Sequence, residues 1–422
     1  MSDTALRDTP LAREAAGLDA CVHCGFCLTS CPTYLALEDE NDSPRGRLVL
    51  MRALLDGDIA PSDPQLGTHL DRCLGCRACE TACPSGVPYG HLLEATRATM
   101  APSRPLPFAA RAILFVFARP RLLSIAMMLS RVFRATGIPA LIGRMSTSAA
   151  FPFAMLASTA RAPRRIATHA PRGDESLASV ATLTGCVMEG LLAPVNRATE
   201  QVLDAQGYRR VAARGQRCCG ALHAHAGDPE TARALARENI AAFIASGADY
   251  FVTNSAGCGA MIKSYGHLLH DDAEWRERAE QVAGSARDVS ELLAAAGPLP
   301  AHHAPIRVTY DAPCHLLHAQ RVGAAPLSAM RAMDGLELVP LPGSDQCCGS
   351  AGIFNLVEPD VATRVLQPKL AAIKSTGASV VTTGNPGCLM QIGAGLLRDR
   401  STVVARHPVE LMADAYDRSG TT

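Results

Sequence analysis

The chain carries Cys21-Val-His-Cys24-Gly-Phe-Cys27-Leu-Thr-Ser-Cys31-Pro32 and repeats the pattern as Cys73-Leu-Gly-Cys76-Arg-Ala-Cys79-Glu-Thr-Ala-Cys83-Pro84. Three thiols at every third residue bend one short loop around a single centre. The fourth lies too far along the chain to close that centre comfortably, and the proline after it turns the backbone away without offering an N–H. This is the ligand spacing of [4Fe–4S] clusters, in which the fourth cysteine of each run serves the other cluster. The expected sets are Cys21, Cys24, Cys27 and Cys83 for cluster I, and Cys73, Cys76, Cys79 and Cys31 for cluster II. Gly25 and Gly75 leave room where backbone passes close to inorganic sulfide.

Two other uses of cysteine fit less well. Structural zinc commonly takes two separated pairs of ligands and has no need of three evenly spaced thiols with a fourth before proline. Disulfides belong to oxidising compartments, and residues 1–20 show neither the basic nor the apolar region of a secretory leader. Between the runs, Arg45–Leu55 reads as a helix with Leu48, Met51, Ala53, Leu54 and Leu55 available for one face, ended by Asp56-Gly57, and Gln65–Arg72 as a second short one. Residues 1–100 are thus expected to form a mainly helical two-cluster ferredoxin-like domain, similar to the modules of respiratory iron–sulfur subunits.

The 422 residues leave space for two or three domains. Forty basic and forty acidic residues cancel, so no whole-molecule field draws the chain to nucleic acid. Sixteen cysteines against one tryptophan point to metal chemistry. No stretch of 18 uninterrupted apolar residues suggests a membrane span. The charge is unevenly placed: twelve arginines and no acid lie between Glu94 and Asp174. Residues 101–175 therefore read as a basic, apolar connector of short helices cut by prolines. Three roles stay open for it: lying on an anionic membrane surface, meeting an acidic partner, or packing on its own domains with its arginine heads in water. The expected location is cytoplasmic, with peripheral attachment to the inner face of the cell membrane left open.

The other eight cysteines form two sets. Cys186, Cys218-Cys219-Gly220 and Cys258 recur as Cys314, Cys347-Cys348-Gly349 and Cys388, offset by 128 to 130 residues, which marks an internal duplication. Thr253-Asn-Ser-Ala-Gly-Cys258 matches Thr383-Gly-Asn-Pro-Gly-Cys388, and Asp288-Val-Ser-Glu-Leu-Leu293 matches His407-Pro-Val-Glu-Leu-Met412 near the repeat ends. Strand-like Ser179–Thr184, Tyr208–Ala213 and Asp249–Asn254 alternate with helix-like Gly190–Gln206 and Pro229–Ser246. Ile306–Asp311, Leu336–Leu341, Val361–Ser375 and Ser379–Thr383 follow suit. The fold class expected is α+β for the N-terminal part and α/β for two repeats, 176–300 and 301–422, each with a small parallel sheet. Cysteines just beyond strand ends then gather where open α/β sheets bind ligands. All eight are candidate residues for a further iron–sulfur cluster or a redox site.

Twin CxxCxxCxxxCP runs followed by two Cys…Cys-Cys-Gly…Cys (CCG) repeats resemble the iron–sulfur subunit of bacterial glycolate oxidase across essentially the whole chain. Cys21–Thr33, Ser43-Pro-Arg-Gly-Arg47, Gly349–Phe354 and Gly384–Gln391 carry that resemblance most closely. It is also similar to iron–sulfur subunits of anaerobic glycerol-3-phosphate dehydrogenase and to cysteine-rich subunits of heterodisulfide reductases. The resemblance implies FAD-binding partner subunits that oxidise glycolate to glyoxylate, with FAD on the partner only. This chain would relay electrons through two [4Fe–4S] clusters to a membrane acceptor such as quinone.

The chain departs from the fullest family pattern in one place. Ser255 and Asn385 stand where the terminal pair of cysteines would begin, leaving four thiols per repeat and weakening a disulfide-cleaving role. His223, His225, His315 and His318 lie near these cysteines as candidate ligands or hydrogen-bonding groups. No Gly-x-Gly-x-x-Gly fingerprint follows a strand, so no catalytic residue is assigned here. Two alternatives stand beside the electron-transfer reading. One is a disulfide- or quinone-reducing catalytic subunit with a cluster in the CCG repeats; the other is an iron–sulfur subunit of a glycerol-3-phosphate or lactate dehydrogenase.

Overall fold

The computed structural model describes residues 6, 8–162, 164, 177–299 and 301–419. Pro300 and the connector's end at 175, with Arg165, Arg172 and Asp174, lie outside the described residues. The N-terminal part is helical. Ser43 Oγ accepts the Gly46 N–H at 2.9 Å and Pro44 fills the first turn, so a helix starts there and runs Pro44–Asp56. Gly57, at φ 84°, supplies the left-handed residue that stops it. Asp63 caps Pro64–Asp71 in the same way. Leu48, Met51 and Leu54 meet Leu66, Leu70, Leu92 and Leu93 in a core that also takes in Cys73 and Cys79, so the helices hold the cysteine loops from one side.

Each repeat carries a four-stranded parallel sheet. In the first, β1 (Ser179–Thr182), β2 (Arg209–Arg210), β3 (Tyr250–Thr253) and β4 (Ala286–Asp288) lie in the order β2-β1-β3-β4. In the second, β5 (Ala301–Tyr310), β6 (Met333–Val339), β7 (Val380–Thr382) and β8 (Val404–Arg406) repeat that order as β6-β5-β7-β8. The central strands are apolar because helices cover both faces. Three local differences from the sequence expectations have physical reasons. The second strand is two residues instead of Tyr208–Ala213, an edge pairing limited to Ser179–Arg209 and Val180–Arg210. The helix expected from Gly190 breaks and restarts at Ala193, because Pro194 sits in its first turn. The strands β4 and β8 were not foreseen; each is three residues long and runs straight into a helix.

The repeats face each other across a pseudo-twofold relation. Helix Ala193–Gln206 packs on Pro408–Ser419, and the counterpart Ala324–Arg331 packs on Val289–Ala296. One apolar core therefore joins Val180 and Val252 to Val308 and Val380. The connector partly packs on this body: Met127, Phe151, Ala154 and Met155 enter the same core, and Arg134 donates to the carbonyls of Thr159 and Leu191. Its other face stays open, with Phe108, Phe115, Ile125, Leu129, Val132 and Leu141 exposed beside exposed Arg111, Arg119, Arg121, Arg131 and Arg144. Among the described residues no single helix is long and apolar enough to cross a membrane; Phe108–Phe117 and Pro120–Ala135 pass that test only together, and they are bent by 109°.

Candidate iron–sulfur sites

All sixteen cysteines are free thiols. Cys21, Cys24, Cys27 and Cys83 line one small cavity, together with Val22, Phe26 and Arg45. Cys31, Cys73, Cys76 and Cys79 line a second, together with Arg47 and Tyr89. The loops thus cross, each run sending its fourth cysteine to the other's cavity (Cys79 also touches the first). Such a four-thiol wall is the donor chemistry of an iron–sulfur cluster. The Ser-Pro-Arg-Gly-Arg stretch serves both cavities. The Arg45 backbone N–H reaches the Cys27 sulfur, and its side chain donates to the His23 carbonyl at 3.3 Å. Two residues on, Arg47 lies buried under the second cavity with Cys31 and Cys73 close by. Cys73 Sγ also accepts from the Gly75 N–H at 3.5 Å and the Tyr89 hydroxyl at 3.6 Å.

The two cavities differ in surroundings. Cys24 is exposed, and Val22 and Phe26 beside it are each about two-thirds exposed. The second cavity is more enclosed. Leu74 and Cys76 pack with Cys314, Cys347 and Phe354 of the second repeat, His315 Nε2 meets the Gly75 carbonyl at 3.0 Å, and Thr81 Oγ1 meets His318 Nδ1 at 3.1 Å. Burial, and then the neighbouring Cys347, push the Cys76 thiol well above its usual range.

Within each repeat the four cysteines converge at the C-terminal edge of the sheet. Cys186 and Cys218 Sγ atoms are 3.6 Å apart, and the Cys219 thiol hydrogen-bonds with those of Cys218 and Cys258. In the second repeat Cys347 bonds Cys314 and Cys348, which in turn bonds Cys388. Hydrogen bonds from Cys186 and then Cys219 hold Cys218 well below the usual thiol range, and those from Cys314 and then Cys348 do the same for Cys347. Gly220 and Gly349 are required by close approach: at φ 90° and 85°, a Cβ would meet the Ala232 carbonyl at 3.2 Å and the Ala362 carbonyl at 2.6 Å. A buried Lys369–Asp311 pair at 2.7 Å stands beside the second set; burial works against the lysine's charge, but Asp311 keeps it charged. Asn385, at the position lacking a cysteine, accepts the Gly257 N–H at 3.1 Å and donates to Cys388 Sγ at 3.5 Å, so it ties the repeats together and supports a thiolate.

The four histidines named from sequence mostly join domains. His223 Nε2 meets the Leu114 carbonyl of the connector at 3.1 Å, and His225 Nδ1 meets Glu94 of helix Tyr89–Met100 at 2.7 Å. His315 and His318 reach the ferredoxin loops as described. Sequence reasoning missed Arg47 and Lys369 as groups around the thiols, and it named Asn385 only as a missing cysteine, not as a donor to Cys388; Arg47 and Asn385 both lay within stretches already singled out.

A model described as a 4Fe-4S dicluster domain matches residues 17–87, and one described as a cysteine-rich CCG domain matches residues 180–263 and 308–393. The glycolate oxidase iron-sulfur subunit of Escherichia coli (strain K12) is 36% identical, covering 98% of each chain. The chain belongs to the family of glycolate oxidase iron–sulfur subunits. A probable glycolate oxidase iron-sulfur subunit of Bacillus subtilis (strain 168) is 37% identical over 94% of this chain and 93% of its own. Lactate utilization protein A of Shouchella clausii is 30% identical over 56% of this chain and 98% of its own length. The two glycolate oxidase subunits align across both the dicluster domain and the duplicated CCG repeat.

Proposed function

We propose that this chain is the electron-transfer subunit of a complex that oxidises a 2-hydroxy acid, glycolate by the names of its full-length relatives, with lactate as the second reading. Cys21, Cys24, Cys27 and Cys83 hold one [4Fe–4S] cluster, and Cys31, Cys73, Cys76 and Cys79 the other. Such clusters, when bound, take up and release single electrons. The observation that carries the reading is the packed contact between the Cys76 loop and two thiols of the second repeat, Cys314 and Cys347. Those thiols, and by duplication those of the first repeat, hold further iron.

The protein's own residues set direction and insulation. Exposed Cys24, Val22 and Phe26 form the face on which the FAD-binding partner subunit docks. Arg45 and Arg47 place positive charge against the thiolates, and Leu74 and Phe354 keep water from the inner junction. The open apolar face of Phe108–Gly143, studded with arginines, lies on an anionic membrane surface, where its apolar side chains leave water and its guanidinium groups meet lipid phosphates. That brings a membrane acceptor such as quinone within reach.

The test is a Cys76→Ser variant in the assembled complex. Substrate still reduces the partner's flavin, but reduction of the terminal acceptor is lost. Acceptor reduction at the wild-type rate in that variant contradicts the proposal.

A further inference from the structure

A cavity of about 290 Å³ lies where the dicluster domain, the connector and both repeats meet. One wall is Cys73, Leu74 and Gly75 of the second cluster loop; the opposite wall includes Leu222 and His225 of the first repeat and Ile353 and Phe354 of the second. Most of the lining is apolar, as befits a site for a small organic ligand. Leu106, Pro107 and Arg111 of the connector also line it, and Phe108 between them is 83% exposed at the start of the apolar helix Phe108–Phe117. The cavity therefore opens beside the surface proposed above to lie on lipid.

Its polar groups form an ordered row. His225 Nδ1 lies 2.7 Å from Glu94 Oε1, which leaves Nε2 for a ligand. The His315 ring is 5.5 Å from that of His225 and is held by the Gly75 carbonyl. Three residues before Glu94 on the same helix, His91 stacks on His267 at 3.7 Å, and His267 stacks on His270 at 5.4 Å. His270 is about half exposed, next to Asp271. Three imidazoles, His91, His225 and His315, and the Glu94 carboxylate thus line the cavity. The remaining charged groups on the lining are Asp71, Arg77, Arg97 and Arg104 from the dicluster domain and its exit, Arg111 from the connector and Asp228 from the first repeat.

We infer that this cavity binds the headgroup of a quinone and that the His225–Glu94 pair supplies its protons. The inference rests on the electron-transfer reading above and adds to it the place where the acceptor is reduced. The balance is simple: the quinone takes two electrons, released by oxidation of one 2-hydroxy acid on the partner, and two protons, and both its carbonyls become hydroxyls. Two O–H bonds form, and the two C=O double bonds become single as the ring turns aromatic. The protons come from His225, backed by Glu94.

The test uses the intact complex and a photoreactive azidobenzoquinone with a decyl tail. Label is expected in peptides spanning residues 89–107 and 351–357, and excess unlabelled decylquinone prevents it. Labelling elsewhere, in a complex that still reduces decylquinone, overturns the site and leaves the electron-transfer reading standing. A complex that reduces ferricyanide but no quinone overturns the acceptor class itself. His225→Gln keeps a polar side chain without a proton to give; its turnover with decylquinone falls about tenfold or more while KM stays within about twofold. Unchanged turnover overturns the proton role.

Discussion

Arg47 Nη2 lies 3.2 Å from Asp42 Oδ1, and both side chains are wholly out of solvent. The same carboxylate accepts from Arg72 at 3.1 Å, while Arg47 also donates to the His69 carbonyl at 2.7 Å and Thr33 Oγ1 at 3.1 Å. Two guanidinium groups against one carboxylate leave positive charge beneath Cys31 and Cys73. Breaking such a buried pair by removing one partner costs about 3–5 kcal/mol. Arg47→Met is expected to lower thermal stability by that order. Loss of a cation near the thiolates also lowers the potential of the cluster they hold, by about 59 mV for each tenfold change in its one-electron equilibrium. EPR-monitored redox titration checks this; an unchanged potential would show that Arg47 acts on stability alone.

His407 gives the chain an acid-sensitive joint. Its Nδ1 accepts the Val409 N–H at 3.2 Å and its Nε2 donates to the Asn254 carbonyl at 2.9 Å, linking the two repeats. Burial pushes its pKa down to about 4, against about 6.5 in the unfolded chain. The unfolded state therefore binds the extra proton first as pH falls. The stability this group contributes is complete above about pH 6.5 and is lost between there and about pH 4, roughly 3 kcal/mol in all. His407→Gln should flatten that part of the pH–stability curve, measured as the denaturation midpoint at several pH values. An identical pH slope in the variant would place the acid sensitivity elsewhere.

The exposed connector face predicts lipid binding without a membrane span. Ile125 and Leu129 are 52% and 57% exposed, so Ile125→Glu with Leu129→Glu leaves the fold intact. Burying each wild-type side chain is worth about 1.5–3 kcal/mol, so cosedimentation with vesicles containing anionic lipid should weaken at least about tenfold. Binding that survives the double substitution, or that ignores ionic strength, counts against this surface.

Much of this was legible from cysteines alone, because ligand spacing is a local property of the chain. The crossing of Cys31 and Cys83 follows from loop reach. The duplication offset of 128 to 130 residues placed eight further thiols at equivalent strand ends. Helices with clear stops, such as Pro229–Ser246 before Gly247, were readable to the residue. What sequence withheld is long-range. Nothing local says that Gly75 meets His315, 240 positions away, or that Glu94 meets His225. Short edge strands such as Val404–Arg406 carry too few residues to show an alternation. The connector's three open roles divided along its length: Arg134 and Arg161 bind their own domains, whereas Arg121 and Arg131 stay exposed.

The measurement that bears most directly on the account is iron and acid-labile sulfide per chain after anaerobic purification, compared between wild type and a Cys347→Ser/Cys348→Ser variant. Two dicluster-domain clusters alone require about eight irons. The account predicts about sixteen in the wild type, falling toward about twelve in the variant while the EPR signals of the N-terminal clusters persist. About eight irons in both proteins would contradict it, leaving the CCG thiols as packing groups and ending the electron path at the Cys76 loop.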